Sequence, residues 1–226
     1  MDKVAKEFVK ICAETLPILE PVYEFGSHQG KEQEGFADLR PFFPNKKYVG
    51  ADIIKGVGVD ITLNLHNINL DSESVGTVVM VGTLEHVEFP RKAIAEIYKI
   101  LNPNGIFILH SVMNHPYHSA PDYWRFTPDA FESLLRDFTT VIIDFAGEKK
   151  FPEAVIAVAS KRILDDKVIK LYKDRICLWK AYCHKIVRPR LSRLLLPPIL
   201  YGLDRKIKKA WLRRKEKTKI NKSRYR

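Results

Sequence analysis

Four of the seven histidines, His86, His110, His115 and His118, crowd into one short stretch of the chain, with Asp122 and Tyr123 close behind. Imidazole titrates near neutrality, which makes His86, His115 and His118 candidate general bases for taking a proton from a hydroxyl. For His86 a structural contact with a neighbouring loop competes with that role. H-x4-H-x2-H matches no standard zinc spacing, so no metal is expected. A second constellation lies upstream. The segment EFGSHQG (24–30) reads as a turn whose glycines, Gly26 and Gly30, allow positive φ and close approach of backbone N–H groups to an anionic or polar ligand. It lacks the G-x-G-x-x-G spacing of a dinucleotide fingerprint, which disfavours NAD. Asp52 follows an apolar run, KYVGA, where a carboxylate can accept both hydrogen bonds of a ribose diol. A turn-capping aspartate would look the same in the sequence.

These residues need a scaffold, and hydrophobic periodicity supplies one. Val4, Phe8, Ile11, Cys12 and Leu16 predict an amphipathic helix that Pro17 ends. PVYEFG (21–26), KYVGAD (47–52), VDITLNL (59–65), TVVMVG (77–82) and GIFILHSV (105–112) predict strands, the fourth apolar throughout as in a strand buried on both faces. A helix from Pro90 to about Leu101 ends in NPNG, Thr127 can cap a helix over PDAFESLLRDF, and TTVIIDFAGE and EAVIAVAS close the series as two strands. The alternation predicts an α/β fold, Rossmann-like and doubly wound, with a mostly parallel seven-stranded sheet and helices on both faces. Its ligand belongs beyond the carboxyl ends of the strands, where strand order reverses.

Charge divides the chain. Residues 161–226 hold 23 Lys and Arg against 5 Asp and Glu, whereas residues 1–160 carry a net −7, within an overall +11. The expected domains are therefore a working domain over 1–160 and a basic, helical, amphipathic C-terminal extension over 161–226 that ends in disorder. In the extension, Val168, Tyr172, Ile176, Trp179, Cys183 and Ile186 form one apolar stripe, suited either to packing on the domain or to a partner. A second stripe, Leu203 to Trp211, lies among cations. Residues 190–215 thus suit an anionic membrane surface, with nucleic acid the less favoured polyanion. The absence of a long apolar run and the three cysteines predict a cytoplasmic protein, peripheral on a membrane at most.

The blocks taken in order resemble the class I S-adenosylmethionine-dependent methyltransferases, type 11 branch. The likeness rests on Glu24, Gly26 and Gly30, on Asp52, on Leu84-Glu85-His86-Val87, and on LNPNGIFIL and DYWRFTPDAF, and spans about residues 20–160. A subgroup with GFADLRPFFP before the second strand looks most similar. The resemblance implies S-adenosylmethionine as cofactor, with Glu24 and the Gly26–Gly30 turn, including Ser27, facing the methionine part, Asp52 the ribose, and Asn64 with Leu65 the adenine. Gly82 joins this set, although the subgroup tends to carry an acidic residue there, and His28 stands where glycine is common. The implied activity is methyl transfer to an oxygen of a small-molecule or glycan-type acceptor held by residues 113–126. An RNA methyltransferase using the basic extension and a non-catalytic binding protein are the rivals. Tyr123, Trp124, Arg125 and Phe126 can form an aromatic wall with a cation for that acceptor, or pack against the sheet end.

Overall fold

The computed structural model describes residues 1–187, with side chains through Lys180. Seven strands, β1 (Val22–Phe25), β2 (Tyr48–Asp52), β3 (Ile61–Thr62), β4 (Val75–Val81), β5 (Leu101–Val112), β6 (Thr140–Glu148) and β7 (Phe151–Ser160), form one sheet of order β3-β2-β1-β4-β5-β7-β6. β7 runs antiparallel to both β5 and β6, and the other pairings are parallel. This is the doubly wound sheet the alternation predicts, with its order reversing between β1 and β4.

Strand side chains alternate between two cores. Val79, Val81, Ile106, Ile108, Ile156 and Val158 face α1 (Lys3–Thr15), whose Asp2 cap accepts the Ala5 N–H at 2.8 Å. Val78, Met80, Phe107, Leu109, Val155 and Ala157 face α2 (Pro90–Ile100) and α3 (Pro128–Leu134), the latter capped by Thr127 as its sequence requires. Burial on both faces is why β4 and β5 read as unbroken apolar runs.

Three local expectations change. β3 shrinks to two residues. NPNG does not terminate α2 with a turn: Leu101 begins β5 and pairs with Val75, with an irregular register before Thr77 meets Ile106. Between β1 and β2, where the sequence predicts no helix, a 3-10 turn forms at Arg40–Phe42. Leu39 and Phe43 are buried in the core beside it, and α4 (Asp166–Val187), which lies beyond the expected domain end, packs on α1 and on β6 at the other edge of the sheet. Tyr172, Ile176 and Trp179 of the first basic stripe are buried against α1 and the sheet, so the compact unit runs through Val187 rather than stopping at 160. The second stripe lies outside the described residues. Among those described, no helix is long and apolar enough to cross a membrane.

Trp179 donates its indole N–H to Val4 O at 3.1 Å and tilts against Phe8, their ring centroids 6.1 Å apart. Trp179→Phe keeps most of the packing but loses this second hydrogen bond to a carbonyl of α1, so it should cost about 1 kcal/mol in equilibrium denaturation. A wild-type midpoint would mean that the indole hydrogen bond contributes nothing to stability.

Candidate active site

Over the carboxyl ends of β1, β2 and β4 lies a cleft with two lobes of about 470 and 570 Å³, joined along Gly26, His28, Gly82, His86 and Ser119. Gly26 and Gly82 adopt φ of +87° and +64°, conformations L side chains rarely adopt. Gly30 has no such constraint, and a Cβ there meets open space, so the sequence argument for its glycine fails.

The smaller lobe is lined by Asp52, Ile53, Ile54, Leu63, Asn64 and Leu65. Asp52 accepts the His28 N–H at 3.1 Å on one carboxylate oxygen and the Ile54 N–H at 3.0 Å on the other. The turn-capping reading is thus realised, and the same clamp orients the carboxylate. Each oxygen keeps a second lone pair for a ligand hydroxyl.

The larger lobe contains Glu24, Ser27, Gly30, His86, His118 and Ser119. Glu24 is buried and accepts the Tyr48 hydroxyl at 2.8 Å; burial pushes its pKa up to about 7. Arg40 sits over the Tyr48 ring and bonds Asp60 at 2.7 Å, while Asp60 accepts the Gly50 N–H. The GFADLRPFFP block therefore has a local purpose: its arginine holds the tyrosine that holds Glu24. Ser27 Oγ is buried with no hydrogen-bond partner.

Three histidines form a row of ring contacts, of which His86 and His118 line the cleft and His115 does not. The His86 ring meets His118 edge-on at 4.8 Å, and His118 meets His115 at 4.7 Å. His86 Nδ1 lies 2.6 Å from Pro121 O. A carbonyl only accepts, so Nδ1 carries the hydrogen and Nε2 keeps its lone pair. His118 Nδ1 lies 3.0 Å from Asp122, and burial lowers the pKa of its imidazole. Asp122 also binds Arg125 through both carboxylate oxygens, which holds its own pKa well below the usual carboxylate range. Arg125 further bonds the carbonyls of His115 and Pro116, so it fastens the loop and is not a spare cation for an acceptor. Trp124 packs likewise, donating its indole N–H to Val87 O.

Sequence reasoning gave Glu85 no role. It is 1% exposed, accepts the Ser111 hydroxyl at 2.7 Å, and its backbone carbonyl takes the N–H groups of Tyr123 and Trp124. Its Oε1 lies 3.6 Å from where a Cβ on Gly82 would be, so a carboxylate is present beside the position where the subgroup tends to carry one. The signal was the LEHV block itself.

Residues 34–109, about a third of the chain, match the family model described as a methyltransferase domain. Among solved structures, 1,6-didemethyltoxoflavin-N1-methyltransferase of Burkholderia thailandensis, holding its substrate and S-adenosylhomocysteine, is similar at 16% identity and TM-score 0.56, over 71% of this chain and 79% of that one. A S-adenosylmethionine-dependent methyltransferase of Archaeoglobus fulgidus is similar at 13% identity and TM-score 0.51, over 68% and 93%. So is a chain from the Haloferax volcanii complex of the Trm112 methyltransferase activator with a methyltransferase, at 14% identity and TM-score 0.52, over 69% and 89%. No curated protein matches the chain.

Proposed function

We propose that the chain, whose residues 34–109 match a methyltransferase-domain model, is a class I S-adenosylmethionine-dependent methyltransferase of the type 11 kind that methylates an oxygen of a small-molecule or glycan-type acceptor. The cofactor supplies an electrophilic methyl group on a sulfonium. Asp52 would hold the ribose, Asn64 and Leu65 the adenine, and Glu24 with Gly26, Ser27, Gly30 and Gly82 the methionine portion. The residues present fit that ligand: a carboxylate oriented at a strand end, a buried acid lining the larger lobe that can face an ammonium, and two turns at positive φ. The observation that supports the acceptor reading is that His86 lines both lobes of the cleft with its Nδ1 held by Pro121 O, which leaves Nε2 for an acceptor. Transfer of this type needs alignment and a base more than a protein nucleophile.

Labelled S-adenosylmethionine incubated with the pure protein and fractionated cell extract tests the reading. Label in small-molecule or glycan fractions is the expected result; label in RNA points to the nucleic-acid rival, and no binding of the cofactor to the non-catalytic one. With an acceptor found, His86→Ala should lower kcat roughly a hundredfold while cofactor affinity, measured by calorimetry, stays unchanged. His115→Ala with His118→Ala tests the rest of the row in the same assay. Wild-type turnover in these variants removes the histidines from the chemistry.

We further infer from composition that residues 190–215, outside those described, dock the protein on an anionic membrane surface from the cytoplasmic side. Each cation near such a surface contributes up to about 1 kcal/mol. The full chain should co-sediment with acidic liposomes, and a chain ended at Pro189 should not. Equal pelleting of the two overturns the inference.

A further inference from the structure

One group in the cleft has more order than a general base requires. Potential ligand atoms of Glu85, His86 and His118 all lie within 4.8 Å of one another. Two imidazoles and one carboxylate are a donor set for a borderline divalent cation such as Zn²⁺, and three protein ligands leave coordination positions open. Spacing along the chain hides the set. Glu85 and His86 come from the 3-10 turn after β4, while His118 comes from the loop after β5, so the H-x4-H-x2-H pattern pointed at the wrong triple. His110 lies on β5 itself, buried.

The surroundings of the three residues agree with this role. Ligating histidines characteristically donate the other ring N–H to a carbonyl or carboxylate, which fixes the tautomer and aims the free lone pair. His86 does so, its Nδ1 facing Pro121 O at 2.6 Å; His118 Nδ1 lies 3.0 Å from Asp122 Oδ2 without a hydrogen bond, and Asp122 instead accepts the His118 backbone N–H at 2.9 Å. On Glu85, Ser111 occupies Oε2 at 2.7 Å and leaves Oε1 towards Gly82, at the junction of the two lobes. Asp122, whose side chain is wholly buried, is in turn fixed by Arg125. Glu85 and His86 thus each have one polar atom tied to the protein and another to offer, and His118 is anchored to Asp122 through its backbone N–H. A lone base needs none of Glu85, Ser111 or Asp122.

We propose that Glu85, His86 and His118 bind a divalent cation, and that this cation holds the acceptor oxygen in the cleft. The inference rests on the acceptor reading above and refines it: His86 Nε2 acts as a ligand instead of a proton acceptor. The acceptor hydroxyl, bound to the cation, loses its proton to solvent water and keeps the O–H electron pair on oxygen, as water does when a metal lowers its pKa.

The test uses the full, tag-free chain stripped with chelator and titrated with Zn²⁺ by calorimetry, and with Co²⁺ followed by its visible spectrum. One equivalent should bind. Glu85→Gln and His118→Ala should each weaken binding at least tenfold, and Asp122→Asn about tenfold through the orientation of His118. Since Glu85 is buried and its variant can misfold, the half-buried His118 carries the decision. S-adenosylmethionine affinity, measured in parallel, should be unchanged in His118→Ala. No stoichiometric binding, or binding that His118→Ala leaves intact, overturns the site. A chain that takes up Zn²⁺ at these residues but no S-adenosylmethionine upholds the site and sinks the methyltransferase reading instead.

Discussion

Gly26→Ala should abolish S-adenosylmethionine binding and destabilise the protein by about 2–6 kcal/mol, whereas Gly30→Ala should stay within about 0.5 kcal/mol of wild type. The contrast follows from geometry. Gly26 sits at φ +87°, and an added Cβ would lie 1.9 Å from Thr83 Oγ1 and 2.8 Å from Thr83 Cβ. Thr83 has little room to yield, because its hydroxyl lies 3.2 Å from Phe25 O and 3.3 Å from Val81 O, between the ends of β1 and β4. Relief of the clash therefore parts the two strands whose ends frame the cleft. Gly30 has neither an unusual φ nor a neighbour within 4 Å of the added carbon. Denaturant melts of the two variants, with calorimetry on each, check the pair. Equal tolerance at both positions would mean that the turn after β1 moves as a unit and that Thr83 does not constrain it.

That contrast also marks what the sequence carried. Both glycines belong to one motif, and a motif records residue type without recording φ. The buried strands were legible because burial on both faces leaves only apolar residues in β4 and β5, a pattern that needs no knowledge of neighbours. The stripe on α4 was equally legible, but what covers it was not. Amphipathicity says that a face must be buried and nothing about where, and Phe8 and Val4, which receive Trp179, lie at the other end of the chain. The histidines were found by type. Their arrangement was not, because Glu85 reads as a surface charge until Ser111, 26 residues further on, is seen to hold its carboxylate.

Glu24 should make the cofactor-free protein less stable as pH rises, and its removal should reverse that. Its carboxyl titrates at about 7 in the folded chain against an ordinary 4.5, because burial disfavours the charged form. A raised folded-state pKa means stability fully present below about 4.5 and lost as pH climbs through 7. At pH 8 the ionised group costs on the order of 3 kcal/mol, from 1.36 kcal/mol per unit. The cost persists because the proposed partner, the ammonium of the methionine portion, needs an anion. Protonation below pH 7 should therefore weaken S-adenosylmethionine binding, by roughly tenfold between pH 7.5 and 6, since the proton must leave before the ligand binds. Glu24→Gln keeps an acceptor for Tyr48 but no charge. It should raise the cofactor-free melting temperature at pH 8, leave it little changed at pH 5, and weaken cofactor binding at least tenfold with the pH dependence gone. A variant that binds S-adenosylmethionine with the wild-type pH profile would show that Glu24 does not face the ammonium, and the stability gain alone would then report an ordinary buried acid.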